Sequence, residues 1–198
     1  MSETADMKNL MNSSVATALE LVSQIQPEDE IETAHRDDAI AWLKSTDDVF
    51  RRVEPKTPPK HLVSYVVVVD PTDLNVFLFD HVIAGLWLPP GGHVEPDEHP
   101  SETARRELAE ELGIAADFSV FGDAPLFLTV TETVSTDHPH VDVSFWYVAT
   151  TGQQASMTVD HREFNDSRWW TTNEIARTPG ERFDPHFHRF IAKLHSVA

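Results

Sequence analysis

The chain has 198 residues, enough for one domain with a real core plus an accessory segment, and carries a formal net charge of -18. Such an acidic balance excludes non-specific nucleic-acid binding, which needs Lys and Arg to neutralise phosphates, and is otherwise an aid to solubility. With no cysteine, disulfide frameworks, thiolate metal sites and thiol nucleophiles are excluded as well.

Residues 1–53 read as a helical N-terminal extension. Met11, Val15, Ala18, Leu19, Val22 and Ile25 keep helical spacing until Pro27 stops the run. Pro27-Glu28-Asp29-Glu30 opens a second helix with acids in its first turn, and Ile31, Ala34, Trp42 and Leu43 supply its apolar positions. Exposed apolar helix faces seldom stay unburied, so the pair is expected to pack on the main domain. A dimer arm or a lid over the site is the other reading. Residues 54–60 form a proline-rich linker, and residues 61–198 the main domain. There LVSYVVVVD (62–70) and NVFLFD (75–80) read as strands joined in a hairpin by the turn at Asp70-Pro71-Thr72-Asp73. Gly85-Leu86-Trp87-Leu88 is short and apolar and leads into Pro89-Pro90-Gly91-Gly92. After a helix that starts at Pro100, strands are expected over 126–134 and 141–150, with a short one at Arg168-Trp169-Trp170. A small helix near 172–176 follows, then a last helix from about Pro185 to His195 with Phe187, Phe190, Ile191 and Leu194 on one side. Strands, one helix, then more strands predict an α/β or α+β fold. No apolar run is long enough to cross a membrane, and MSETADMKNL lacks the layout of a secretory signal, so a soluble cytoplasmic protein is expected.

Residues 92–114, GHVEPDEHPSETARRELAEELGI, concentrate the chemistry. Pro100 suits a first helical position, Glu102 the positive end of the helix, and Gly113 the left-handed residue that closes it. Ala104, Leu108 and Leu112 make an apolar stripe, while Glu107, Glu110 and Glu111 at i, i+3, i+4 share another face. Like charges so placed destabilise a helix by about a few tenths of a kcal/mol per pair. A cluster of hard oxygen ligands suits Mg²⁺ or Mn²⁺, which would cancel that repulsion. Three glutamates taken alone would sooner be a solvated acidic face; the spacing around them reverses the preference.

That spacing is G-x5-E-x7-R-E-U-x-E-E-x-G-U, with U a bulky aliphatic residue. It is met at Gly92, Glu98, Arg106, Glu107, Leu108, Glu110, Glu111, Gly113 and Ile114. A chance match has odds of roughly 10⁻⁷ at average residue usage. This is the Nudix box, and the chain resembles Nudix hydrolases over about residues 60–195. The resemblance implies an α/β/α sandwich around a mixed β-sheet, with the box as a loop-helix-loop at one end. It implies Mg²⁺ or Mn²⁺ as cofactor and a small diphosphate substrate, commonly a nucleoside diphosphate derivative, cleaved by in-line attack of water on phosphorus. Carried over residue by residue, the metal ligands are Glu107, Glu110, Glu111 and the backbone carbonyl of Gly91. Arg106 resembles the residue that holds the glutamates in place, and Glu98 a structural partner within the box. A homodimer is an expectation from the family alone.

Many Nudix enzymes use one more acid outside the box, as base or further ligand. Glu163, six residues before Trp169, resembles that acid in bacterial RNA pyrophosphohydrolases; Asp160 and Asp142 are rivals, and a solvated loop acid is the plain alternative. Glu174 reads as a helix-start residue. His138, His140 and Asp142 would share one strand face as a second metal site, although Pro139 argues against regular strand there. Ordinary, partly buried histidines are the plainer reading, and His186 and His188 form a further His-x-His pair. Trp87, Trp146, Trp169 and Trp170 read as core sooner than as a base-stacking platform.

Substrate choice is not written in the motifs. No SQPWPFPxS follows the box, as it does in NADH diphosphatases, and Val130 stands where ADP-ribose hydrolases carry a proline. An isomerase of isopentenyl diphosphate shares the fold but relies on a catalytic cysteine. The alternative to a hydrolase is a non-catalytic Nudix domain that senses a nucleotide or serves as an interaction module; the intact acid set speaks against it.

Overall fold

In the computed structural model, residues 2–53, 58–133, 139–159 and 163–198 are described, with side chains from Ser13 onward. The fold is organised by β1 (Lys60–Val69), whose valine run has no polar face: Leu62, Val66 and Val68 enter one core and Val67 and Val69 the other. A strand apolar on both sides belongs inside a sheet that is covered on both faces. It pairs in parallel with β6 (Val141–Thr150), from Lys60 opposite Val141 to Val69 opposite Thr150. Its other edge is divided. The end, Val68 and Val69, pairs antiparallel with β2 (Val76–His81), while Val63 to Tyr65 pair antiparallel with β4 (Gly91–His93). With β3 (Trp87–Leu88), β5 (Phe127–Glu132) and β7 (Phe164–Trp170), this makes a seven-stranded mixed sheet with the main order β3-β2-β1-β6-β5.

One core joins α1 (Ser2–Gln24), α2 (Glu30–Leu43) and α3 (Pro100–Leu112) to the sheet through Ala18, Leu21, Val22, Ala39, Leu43, Ala104, Leu108 and Leu112. The opposite core is aromatic: Phe183, Phe187 and Phe190 meet Trp146 and Phe127, with α4 (Thr172–Arg177) and α5 (Phe187–Val197) as its cover. This is the three-layer α/β/α arrangement expected from sequence. The N-terminal helices pack into the core rather than project from it. They are also pinned to α5 by charge. Arg189 donates to Asp29 at 2.6 and 2.7 Å, and the buried Lys193 donates to the buried Glu32 at 2.7 Å and to the Gln26 carbonyl at 2.6 Å. Because α2 lies against β5, the sheet edge there is covered. No helix among the described residues is long and apolar enough to cross a membrane.

Two strands depart from the sequence reading. No strand is expected at Gly91–His93, which forms the glycine-rich β4, and β7 starts at Phe164, well before Arg168. Asn165, Asp166 and Ser167 have poor strand preference, and pairing with β2 from Val76 to His81 overrides it. Of the expected linker, residues 54–57 lie outside the described residues.

Candidate active site

The box helix starts and stops as its sequence dictates. Pro100 occupies its first turn, the ring of His99 accepts from the Ser101 amide, and Gly113 closes it at φ 67. Its buried stripe of Ala104, Leu108 and Leu112 fixes the rotation of the helix, which turns Glu107 and Glu111 toward β4. Close approach there demands a missing side chain: a Cβ on Gly92 would stand 2.1 Å from Glu107 Oε1. The backbone of Gly91 lies close enough to the Glu111 carboxylate to favour its charged form.

Arg106 organises the acids. It donates to both oxygens of Glu98 at 2.9 and 3.1 Å, to Glu107 at 2.7 Å, to Glu110 at 3.4 Å and to the His93 carbonyl at 3.3 Å. Glu98 also accepts from the Thr103 hydroxyl at 2.8 Å. Desolvation pushes the Glu98 carboxyl up, but these hydrogen bonds outweigh it and hold the group below its ordinary value. Glu98 is therefore a satisfied structural acid.

Glu107 and Glu111 are the opposite case. Desolvation raises Glu107 in spite of Arg106, and it raises Glu111 to about 9, with Glu107 and Glu163 adding repulsion. Glu111 Oε2 is fully buried with no hydrogen-bond partner. Of the three helix acids only Glu110 fits a solvated face, with its side chain 61% exposed. A pair of half-buried carboxylates, one with an orphaned and fully buried oxygen, fits a divalent cation held by hard oxygen donors. Glu163, although exposed, lies near enough to act on the charge of both Glu111 and His81.

The remaining candidates sort by environment. Glu174 caps α4 reciprocally with Thr171 and binds Arg168 at 2.7 Å. Trp87, Trp146 and Trp170 are core and Trp169 is packed against it. His138 and Asp160 lie outside the described residues. His140 and Asp142 do come together, with two partners the spacing did not suggest: His61 on β1 and His93 on β4. Parallel pairing puts His61 beside Asp142, and antiparallel pairing puts His93 beside Val63. His186 and His188 are elsewhere, the first against His35 and the second bonded to the Ile175 carbonyl. The Tyr65 phenol is raised by desolvation and by the charges of Asp184, Asp142 and Glu111.

The described architecture matches known proteins. The NUDIX domain model matches residues 59–191. The chain is 37% identical over 79 residues to the bovine (Bos taurus) m7GpppN-mRNA hydrolase NUDT17, covering 36% of this chain and 26% of that protein. It is 35% identical over 99 residues to a Mycobacterium tuberculosis protein named "Putative 8-oxo-dGTP diphosphatase 3", covering 48% of this chain and 42% of the relative. It thus spans less than half the length of either relative. A NUDIX-family hydrolase from Clostridium perfringens superposes with a TM-score of 0.51 at 21% identity, over 70% of this chain and 98% of that one. Sheet, box helix and matched span together show that this chain belongs to the NUDIX family.

Proposed function

We propose that the protein is a metal-dependent hydrolase of a diphosphate linkage in a small molecule, a nucleoside diphosphate derivative being the substrate class. The observation that carries this reading is the half-buried Glu111 carboxylate: its Oε2 is buried and lacks a partner, and the group is raised to about 9 by desolvation, Glu107 and Glu163. Such a group is costly unless a cation replaces its proton. Glu107 and Glu111 would hold Mg²⁺ or Mn²⁺, with Glu110 and the Gly91 carbonyl as further donors. When bound, the ion supplies charge neutralisation for the pyrophosphate and lowers the pKa of a coordinated water.

The residues of the chain do the rest. Arg106 restrains Glu107 through its 2.7 Å contact and is itself clamped by Glu98, so the acid pair is set before substrate arrives. Glu163 is the group we assign as proton acceptor from the attacking water. The water oxygen bonds to phosphorus, the bridging P–O bond breaks, and the bridging oxygen leaves on the second phosphate-bearing product. Little covalent work falls to the protein, so positioning sets the rate.

The test is product release from a panel of nucleoside diphosphate derivatives and triphosphates, including an oxidised guanine nucleotide, the class named for the mycobacterial relative. Wild type with Mg²⁺ or Mn²⁺ should turn over one class, and Glu111→Gln should lose that turnover by orders of magnitude. A folded wild type that binds metal and a nucleotide but hydrolyses none of the panel would instead make it a sensor.

A further inference from the structure

Three imidazoles and one carboxylate converge in a group that includes none of the box glutamates. The donor atoms of His61, His93, His140 and Asp142 all lie within 4.8 Å of one another. Three ring nitrogens face a single oxygen: Asp142 Oδ1 is 3.2 Å from His61 Nε2, 3.5 Å from His140 Nε2 and 4.0 Å from His93 Nε2. The rings of His61 and His140 stack at 5.1 Å, and that of His93 lies 4.8 Å from His61.

The hydrogen bonds around this cluster leave its centre unsatisfied. His61 Nδ1 is 2.8 Å from the Pro58 carbonyl, which can only accept, so that nitrogen carries the proton. In the neutral ring Nε2 is then a bare lone pair, and it faces another acceptor. His61 Nε2, His93 Nε2 and Asp142 Oδ1 are all buried without a hydrogen-bond partner. Thr131, paired with Asp142 across β5 and β6, has a buried hydroxyl oxygen in the same condition. A proton could join one nitrogen to Asp142, but it could not serve three, and three imidazolium ions side by side would repel. A cation with several coordination positions satisfies the whole set.

We propose that His61, His93, His140 and Asp142 form a second metal site, for a zinc-type divalent ion, with a ligand set distinct from the box glutamates. Three imidazoles with one carboxylate suit Zn²⁺ better than Mg²⁺, which prefers oxygen ligands and keeps its waters. Bonds of about 2.0–2.1 Å in a tetrahedron set ligand atoms about 3.3 Å apart. The 3.2 and 3.5 Å separations lie near that edge, and the 4.0 Å one, with a spread of no more than 4.8 Å over the whole set, would contract on binding. The carbonyl behind His61 orients the ring as outer partners of zinc-binding histidines do. Four protein donors leave no open position, which makes the site structural. It would tie β1, β4 and β6 together at the end of the sheet where the box begins. Asp184, close enough to feel the charge of Asp142, adds to the negative field; Arg51 acts against it at His93.

The experiment is metal analysis of the full, tag-free chain after Zn²⁺ loading and desalting. About one Zn²⁺ per chain is expected in wild type and also in a Glu107→Gln/Glu111→Gln variant. His140→Gln and Asp142→Asn should bind Zn²⁺ at least about 100-fold more weakly while keeping the wild-type circular dichroism spectrum. His61→Gln, at the fully buried position, is read only if folded; the other two variants suffice. Co²⁺ in place of Zn²⁺ should give the intense visible absorption of a four-coordinate ion, and lose it in the same variants. The proposal is overturned by a folded wild type that retains no Zn²⁺, by full retention in the His140 and Asp142 variants, or by loss in the box variant instead. None of these results bears on diphosphate hydrolysis, so the two readings can fail separately.

Discussion

Gly92→Ala separates the placement of Glu107 from the stability of the fold. An added Cβ would stand 2.1 Å from Glu107 Oε1 and 2.6 Å from its Cδ, where ordinary contact begins at 3.4 Å. Bringing 2.1 Å to 3.4 Å requires the carboxylate to retreat by about 1.3 Å. The obstacle is the end of a flexible side chain, so the helix and β4 can stay where they are. The cost to folding is one disturbed ion pair with Arg106, offset in part by the lower chain entropy of alanine, and should stay within about 1 kcal/mol. Catalysis is less forgiving: a misplacement of about 1 Å can cost about 10²-fold, or about 2.7 kcal/mol in the barrier. We therefore expect kcat/KM to fall by about 10²-fold or more and Mg²⁺ to bind more weakly, with Tm nearly unchanged. The assay pairs steady-state turnover of the substrate found in the panel with a Mn²⁺ titration that does not depend on activity. A variant with turnover within about threefold of wild type and unchanged metal affinity would refute the claim that Glu107 must sit against β4. A large fall in Tm would refute the separation of site from fold.

The raised Glu111 carboxyl gives a pH signature in the metal-free protein. Its folded pKa of about 9 lies above the ordinary carboxyl value of 4.5, so between those values the unfolded chain releases a proton the folded chain keeps, and this group's stabilising contribution is lost as pH rises. Glu111→Gln should accordingly be more stable than wild type at pH 8 without metal, with the difference shrinking toward pH 4.5 and after Mg²⁺ addition; a difference independent of pH would be incompatible with a buried acid. The buried Lys193–Glu32 pair should behave as a coupled unit. Lys193→Met alone strands Glu32 and should cost about 3–5 kcal/mol by urea unfolding. The double change Glu32→Leu/Lys193→Met should recover more than half, whereas additive single effects would mean that the two do not interact.

The box was legible because it is local. One helix carries its cap, its buried stripe and its acids, so the spacing from Gly92 to Ile114 specifies both the element and the face each glutamate shares. The alternating or continuous apolar runs of β1, β2 and β6 were legible for the same reason, since burial of a strand leaves its mark on neighbouring residues. The degree to which Glu111 is buried was not. It depends on β4, a strand of two glycines and a histidine that exists only because β1 offers it a free edge. Strand β7 depends likewise on β2, which imposes extended backbone on Asn165-Asp166-Ser167 against their own preference.

The histidine cluster marks the boundary most clearly. From spacing alone His140 and Asp142 drew attention together with His138, a neighbour in sequence. The partners found in space, His61 and His93, come from two other strands, and no periodicity links them to His140. Their meeting follows from register: Lys60 opposite Val141 sets His61 beside Asp142, and Val63 opposite His93 brings the third ring to the same face. Sequence by itself determined the acid-bearing helix, the apolar strands and the family, because those are written in contiguous residues. Tertiary structure alone decided which carboxylates are dry and which histidines converge, because burial and strand register are properties of segments that meet only when the whole chain has folded.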